Sequence, residues 1–497
     1  MSPKHRRSAP TGAISCDLLP PVRCWRRRLA EELRSRPTDP IAWAPRDLDA
    51  LITDLQQALD VFDFEPVAHK NPPPAHFGYM ATGADDEVTL RANREDFLRL
   101  QLRPRRLVDV ATIDMKVEIF GAIYDSPIVI APTGSNRAVH PDGELAVARA
   151  AKSGNHLQIL STVATTSIED AIAARGAPVW FQLYPTDRWE LTEALVRRAE
   201  TAGSTTVVLT VDAIVDGNWE TLARMRRTDA RRCGDCHGRS FRDFLAHRPN
   251  FDGLDLTGVK NLNRADMNSV FVKRLRDIVK GKLLLKGILT QEDGVLASKA
   301  GIDGVIVSNH GGRFGDSGRA TIDALPEIVE AVGDRMPVLI DSGFRRGTDI
   351  IKALALGARA ICIGRPYLWG HAAFGQSGVE RVFDILRKET HAVMQQLGAP
   401  SLHDITPRWC VTPNPGHSAR NIISVPAAKR FSPTRMPGAV RPVLHDAPEF
   451  ARYLIRERIQ AGRAAARRAG CIGGRPTKLT EDDLEAALAL LALPISA

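Results

Sequence analysis

The chain has 497 residues, 44% hydrophobic and 25% charged, a composition that excludes disorder throughout and allows one large domain with extensions or a few small ones. No run approaches the ~18 consecutive apolar residues of a membrane span. The basic N-terminus lacks the apolar stretch of a secretory signal and seven scattered cysteines imply no disulfide framework, which points to the cytoplasm. The formal charge of +9 sits at the ends: residues 1–36 carry +6, 451–478 carry +7 and 479–497 carry −4, leaving a near-neutral body with no nucleic-acid footprint.

In chain order, a basic N-terminal extension over 1–60 gives no motif. Eight short, mostly β-branched apolar runs then follow, at 127–133, 156–162, 179–184, 206–212, 283–287, 304–312, 337–343 and 360–366. Each reads as a strand buried on both faces. Helix-compatible segments lie between them (DGELAVARAAKSG, ELTEALVRRAETAG, QEDGVLASKAG, GTDIIKALALGA), several closing on glycine. Strand then helix, eight times over, predicts an α/β fold, a (β/α)8 TIM barrel over 61–410. Successive strands start 29, 23, 27, 77, 21, 33 and 23 residues apart, so only the connection after strand 4 is abnormal. That polar insert, about 213–275, is expected to pass over one end of the barrel as a lid or contact surface.

Active sites of such barrels lie at the C-terminal ends of the strands. The runs here end in Thr133, Ser161, Gln182 with Tyr184, Thr210 with Asp212, Lys286, Ser308 to Arg313, Asp341 to Arg346, and Gly364 with Arg365. One polar strand end is unremarkable solvation, but eight aimed at one mouth supply a general base, its charge partner and cations for an anionic ligand. Glycine-flanked turns with arginines after strands 7 and 8 also suit a phosphate held on backbone N–H groups.

SNHGGR at 308–313, LKG at 285–287, TVD at 210–212, FQLY at 181–184 and KALALGARAICIGRP at 352–366 resemble the FMN-dependent L-2-hydroxy acid dehydrogenase and oxidase family, over about residues 70–408. The resemblance implies FMN as cofactor and oxidation of a 2-hydroxy acid to the 2-oxo acid. His310 resembles the base, Asp212 the partner of its imidazolium, Tyr184 the hydroxyl bonding the substrate oxygen, and Tyr79 with Arg313 the pair holding the substrate carboxylate. Lys286 resembles the cation beside the flavin, where negative charge builds on reduction. Pro132, Thr133 and Gly134 by their backbone, Ser161, Gln182 and Thr210 on the flavin ring, Asp341, Gly343, Arg345, Gly364 and Arg365 on ribityl and phosphate, and Ser308 complete the implied FMN contacts. The resemblance implies no metal, and it suggests a homotetramer. The electron acceptor stays open among quinone, cytochrome and oxygen. The run at Gly134 resembles mandelate dehydrogenases more than glycolate oxidases, which inclines the reading to a dehydrogenase.

Three departures bear on the substrate. Where the family carries Gly-x-Arg-Glu after strand 4, this chain reads Gly217, Asn218, Trp219, Glu220, and loss of that arginine should weaken or redirect substrate binding. Ser342 replaces the first glycine of an Asp-Gly-Gly turn, which serves only if the position does not need positive φ. Val163 stands where some members carry a large aromatic, leaving room for a bulkier substrate side chain.

Cys233, Cys236 and His237 spell C-x-x-C-H, the attachment pattern of c-type haem. Attachment needs export and no signal is visible, and zinc would lack a second ligand pair, so a lid loop is the expectation. Residues 411–450 read as a Pro-rich linker, and 451–497 as a basic helical extension. Within that extension, 455–491 resembles the arm region of serine site-specific recombinases, with Gly474, Arg475 and Pro476 matching the minor-groove arm. The recognition helix and the recombinase catalytic domain are absent, so only non-specific, salt-sensitive DNA affinity is expected. A rival reading is thus a DNA-associated fusion whose barrel is impaired, with Trp219 and Ser342 as early damage. Retention of all six of Tyr79, Tyr184, Asp212, Lys286, His310 and Arg313 argues against it.

Overall fold

The computed structural model describes residues 51–411, apart from 232–239 and 263. Eight parallel strands close into a barrel: β1 Ile128–Ile130, β2 Leu157–Ser161, β3 Trp180–Leu183, β4 Thr206–Thr210, β5 Lys282–Ile288, β6 Gly304–Val307, β7 Val338–Ile340 and β8 Ala360–Ile363. β8 pairs back onto β1, with Ile361 opposite Ile128. Every predicted strand is present. The runs read as continuously apolar because alternate residues face two cores. On β4, Val208 points into the barrel with Leu284 and Ile306, whereas Val207 and Leu209 pack outward with the helices.

The helices are specified locally as well. Ser167 and Thr290 accept backbone N–H groups at helix starts, and Gly176 ends Ile168–Arg175 in the left-handed region (φ 71°). Gly203, Gly301 and Gly357, which follow the predicted helices, also have positive φ, whereas Gly154 does not.

The N-terminal end of the barrel is sealed by a hairpin, Val117–Ile119 against Ala122–Tyr124, whose Val117, Ile119 and Tyr124 enter the interior cluster. The opposite end is overlaid by the helix Pro74–Ala81 and by the insert after β4. The insert is more structured than a lid. Its helix Glu220–Thr228 approaches Pro74–Ala81 so closely that a Cβ on Gly78 would lie 3.0 Å from Met225 Cβ. Buried Asn250 donates to the carbonyls of Ser161 (3.2 Å) and Thr162 (3.1 Å), fastening the insert to the end of β2. Among the described residues no helix is long and apolar enough to cross a membrane. Cys233, Cys236, His237, the linker from 412 onward and the recombinase-like segment lie outside the described residues, as do residues 1–50.

Candidate active site

The C-terminal ends of the strands surround a pocket enclosing about 860 Å³, part of it open to solvent. Tyr79, Pro132, Thr133, Gly134, Ser161, Val163, Tyr184, Lys286, His310, Arg313, Asp341, Gly343, Arg345, Gly364 and Arg365 all line it. Four predicted residues stand behind this wall. Asp212 holds His310, Ser308 links Lys286 to Asp341, and Gln182 bridges Ser161 (3.0 Å) to Thr210 (3.0 Å).

His310 follows β6 with φ 57°, a left-handed backbone rare for a non-glycine residue, and its N–H is caught by Ser308 Oγ at 3.0 Å. Its Nδ1 is 2.9 Å from Asp212 Oδ1 and its Nε2 is 3.1 Å from the Tyr184 hydroxyl. With Nδ1–H donated to the carboxylate, Nε2 is left as the acceptor facing Tyr184. Burial, then Lys286, lowers the His310 pKa, with Asp212 opposing. For Asp212 burial acts upward, but His310 and Lys286 outweigh it and the pKa is lowered. Burial first, then Tyr79 and Asp212, lifts the Tyr184 pKa well above the ordinary phenol value, so its proton stays in place. Gly287 (φ 109°) allows this pair its position, since a Cβ there would lie 2.7 Å from Asp212 Cβ.

Beside the imidazole, Arg313 donates through one nitrogen to the carbonyls of Tyr79 (2.6 Å) and Thr82 (3.3 Å). Its other terminal nitrogen is buried and has no partner among the described residues. The guanidinium lies 4.6 Å from the Tyr79 ring and 5.1 Å from the Trp219 ring. A buried donor with nothing to bond is a place for an anionic ligand.

Deeper in the pocket, Lys286 Nζ donates to Ser308 Oγ (2.8 Å) and lies 3.2 Å from Asp341 Oδ2. Burial alone would lower its pKa, but Asp341 and Asp212 raise it, which keeps the ammonium charged. At the far end burial, then repulsion from Arg94 and Arg365, brings the Arg345 pKa down to about 9. Arg365 is brought to about 10 by burial and then by Arg313.

A family model described as FMN-dependent dehydrogenase matches residues 68–412. The chain belongs to this family. Its cofactor is FMN. The chain is 39% identical over 372 residues to peroxisomal (S)-2-hydroxyacid oxidase GLO3 of Arabidopsis thaliana, spanning 72% of this chain and 98% of that one. It is 40% identical over 362 residues to L-lactate oxidase of a Nostoc species, spanning 71% and 98%. A solved structure of a soluble mutant of the membrane-associated (S)-mandelate dehydrogenase from Pseudomonas putida is similar, with 37% identity, a TM-score of 0.65, and 71% of this chain and 99% of that one covered.

The pocket fits FMN by its own chemistry. Burial, then Arg94 and Arg365, lower the Arg345 pKa, and a phosphate beside this guanidinium would offset that repulsion. Gly364 opens the helix Arg365–Leu397, and a Cβ on it would meet only Ala131, at 4.0 Å, so the backbone there is open to a phosphate. The Arg365 guanidinium donates to the carbonyls of Met80, Gly311 and Thr82, which fix it at the pocket wall and leave two of its five N–H groups for a ligand; Arg345 lines the same wall. Gly343 (φ 85°) is fixed as glycine by packing, since a Cβ would lie 1.8 Å from the carbonyl oxygen of Asn93.

The departures can now be placed. Ser342 has φ 77°, so the condition set for tolerating serine there fails and the residue is strained. It compensates: its hydroxyl donates to Asp341 Oδ1 (2.7 Å) and accepts the Gly311 N–H (3.0 Å), bonds a glycine cannot make. Trp219 packs beside Arg313 rather than leaving a gap. Val163 lines the pocket, and its Cγ2 would lie 2.6 Å from a Cβ on Gly134, which supplies a reason for glycine there.

Sequence reasoning missed the apolar wall of Met80, Phe344, Cys362 and Leu368. These residues adjoin or fall within the motif runs, but apolar types carry no chemical signal. It also missed Asn93 and Asn309, whose buried amides bond each other reciprocally (2.9 and 2.8 Å) and hold the loop that carries His310. Nothing in the sequence links positions 216 residues apart.

Proposed function

We propose that the protein oxidises an L-2-hydroxy acid to the corresponding 2-oxo acid as a dehydrogenase. The observation that carries this reading is one wall holding both an acceptor nitrogen on a carboxylate-backed imidazole and a buried guanidinium nitrogen without a partner among the described residues. The free Arg313 nitrogen takes the substrate carboxylate and Tyr79 lies alongside, which fixes the carbon bearing the hydroxyl. The substrate hydroxyl then competes with Tyr184 for His310 Nε2. His310 removes the hydroxyl proton, and Asp212 stabilises the imidazolium that results. Tyr184, which keeps its proton, donates to the substrate oxygen.

FMN, when bound, would supply the acceptor for the α-carbon hydrogen and its bonding electron pair, whose loss together with the hydroxyl proton leaves the 2-oxo acid. Lys286 keeps a fixed positive charge on the cofactor side of the pocket, and Met80, Phe344 and Leu368 exclude water there. An impaired barrel is disfavoured, because Ser342 and Trp219 are both bonded into the site. The division into extension, barrel, linker and tail, the cytoplasmic location and a homotetramer belong to the same proposal. Mass measurement in solution checks the last of these.

The test is anaerobic loss of flavin absorbance on adding L-lactate, L-mandelate or glycolate. Bleaching by one of them, with slow recovery in air and fast recovery with a quinone, is expected. Fast recovery in air would make the protein an oxidase. A flavin-loaded protein that none of these acids or longer-chain 2-hydroxy acids bleaches would sink the reading.

A further inference from the structure

Trp219 opens the insert after β4, half-buried above the pocket. Its indole N–H donates to the main-chain carbonyl of Arg313 at 2.8 Å, and its ring lies 5.1 Å from the guanidinium of the same residue. On another side the ring meets Phe314 edge-on at 5.9 Å, and Phe314 meets His310 edge-on at 4.6 Å. One side chain therefore supports both arms of the site: the cation for the carboxylate directly, and the imidazole through Phe314.

The local backbone is shaped around this contact. A Cβ on Gly217 would lie 2.1 Å from the Arg313 carbonyl oxygen and 2.5 Å from Trp219 Nε1, so only glycine admits the bond. Asn218 is clasped to Asp85 twice, by its carbonyl accepting the Asp85 N–H (3.0 Å) and by its amide donating to Oδ1 (3.1 Å). The segment Gly217–Trp219 is thus a strap across the loop that ends in Arg313.

We propose that Trp219 is a positioning residue for substrate-carboxylate binding, holding Arg313 so that its free nitrogen faces the ligand. This rests on the proposed function for the identity of the ligand, but its test does not depend on turnover. Oxalate is titrated into the oxidised, FMN-loaded full-length protein and read by its perturbation of the flavin absorption band, for wild type, W219F and W219L.

W219F keeps a ring and loses the N–H, and its oxalate affinity is expected to fall about 3- to 10-fold, the effect of one hydrogen bond. W219L loses the ring as well and should fall further. FMN content should be unchanged in W219F, and with a turned-over acid KM should rise while kcat falls less. Oxalate affinity within twofold of wild type in W219F, or a loss of affinity that only tracks loss of FMN, would overturn the proposal. Trp219-dependent oxalate binding in a protein that no 2-hydroxy acid reduces would defeat the proposed function and leave this inference standing.

Discussion

The two ends of the barrel use the same strands for opposite purposes. At the N-terminal end the interior is mainly apolar: Trp180 on β3 takes the ring of Phe120 from the sealing hairpin at 5.7 Å, and Leu284, Ile306 and Leu339 fill the next layer. Within a few residues along those strands the interior carries Lys286, Ser308 and Asp341, nearly as deeply buried as Trp180. Buried charge at one end is tolerable because each group is held by another, and because the other end supplies the packing. Stability and chemistry are thus divided along the length of each strand, which predicts that they can be damaged separately.

The largest separation should come from His310→Gln. Loss of a general base should lower the rate of flavin bleaching by about 10²- to 10⁴-fold while the protein stays yellow and melts near the wild-type temperature. In the wild type the base works only unprotonated, and its pKa lies below the ordinary value of about 6.5. The profile of kcat/KM should therefore be level at neutral pH and fall only as pH drops below that value. At the sealed end, Trp180→Ala should do the reverse, costing about 3–5 kcal/mol of stability in denaturant unfolding. The acid limb should stay where it is. A shift of that limb would mean the two ends are coupled and the division is wrong.

The smallest effect sharpens the comparison at Ser342, where strain and bonding meet. Ser342→Ala keeps the left-handed backbone and loses both hydroxyl bonds, and should destabilise by about 1–3 kcal/mol. Ser342→Gly loses the bonds but relieves about 1–2 kcal/mol of strain, and should stay closer to wild type. Alanine melting above glycine would show that the left-handed backbone carries no strain, and alanine melting with wild type would show that the hydroxyl bonds contribute nothing.

All eight strands and most of the pocket were legible, because strands buried on both faces announce themselves by composition and strand-end chemistry by residue type. What was not legible depends on backbone acceptors. Arg365 reads as a phosphate ligand, but the sequence does not show the three carbonyls, brought together only by the fold, that hold its guanidinium in place. Asn250 and the buried Arg248 sit in a polar stretch that reads as a solvated lid, while the structure uses them inside. At Ser342 the residue type shows that φ matters, but neither its φ nor its compensating bonds can be read from local sequence.

Ser308, one hydroxyl at the end of β6, accepts from Lys286 Nζ and from the His310 N–H and donates to Asp341 Oδ2. A hydroxyl has one proton to give and two lone pairs to fill, so every valence is taken and its proton has only one direction to point. The polarity of this wall, from ammonium through oxygen to carboxylate, is therefore set by the donor and acceptor count of one hydroxyl instead of being left to solvent to orient. A side chain with a different donor count at this position would have to reverse one of the three links.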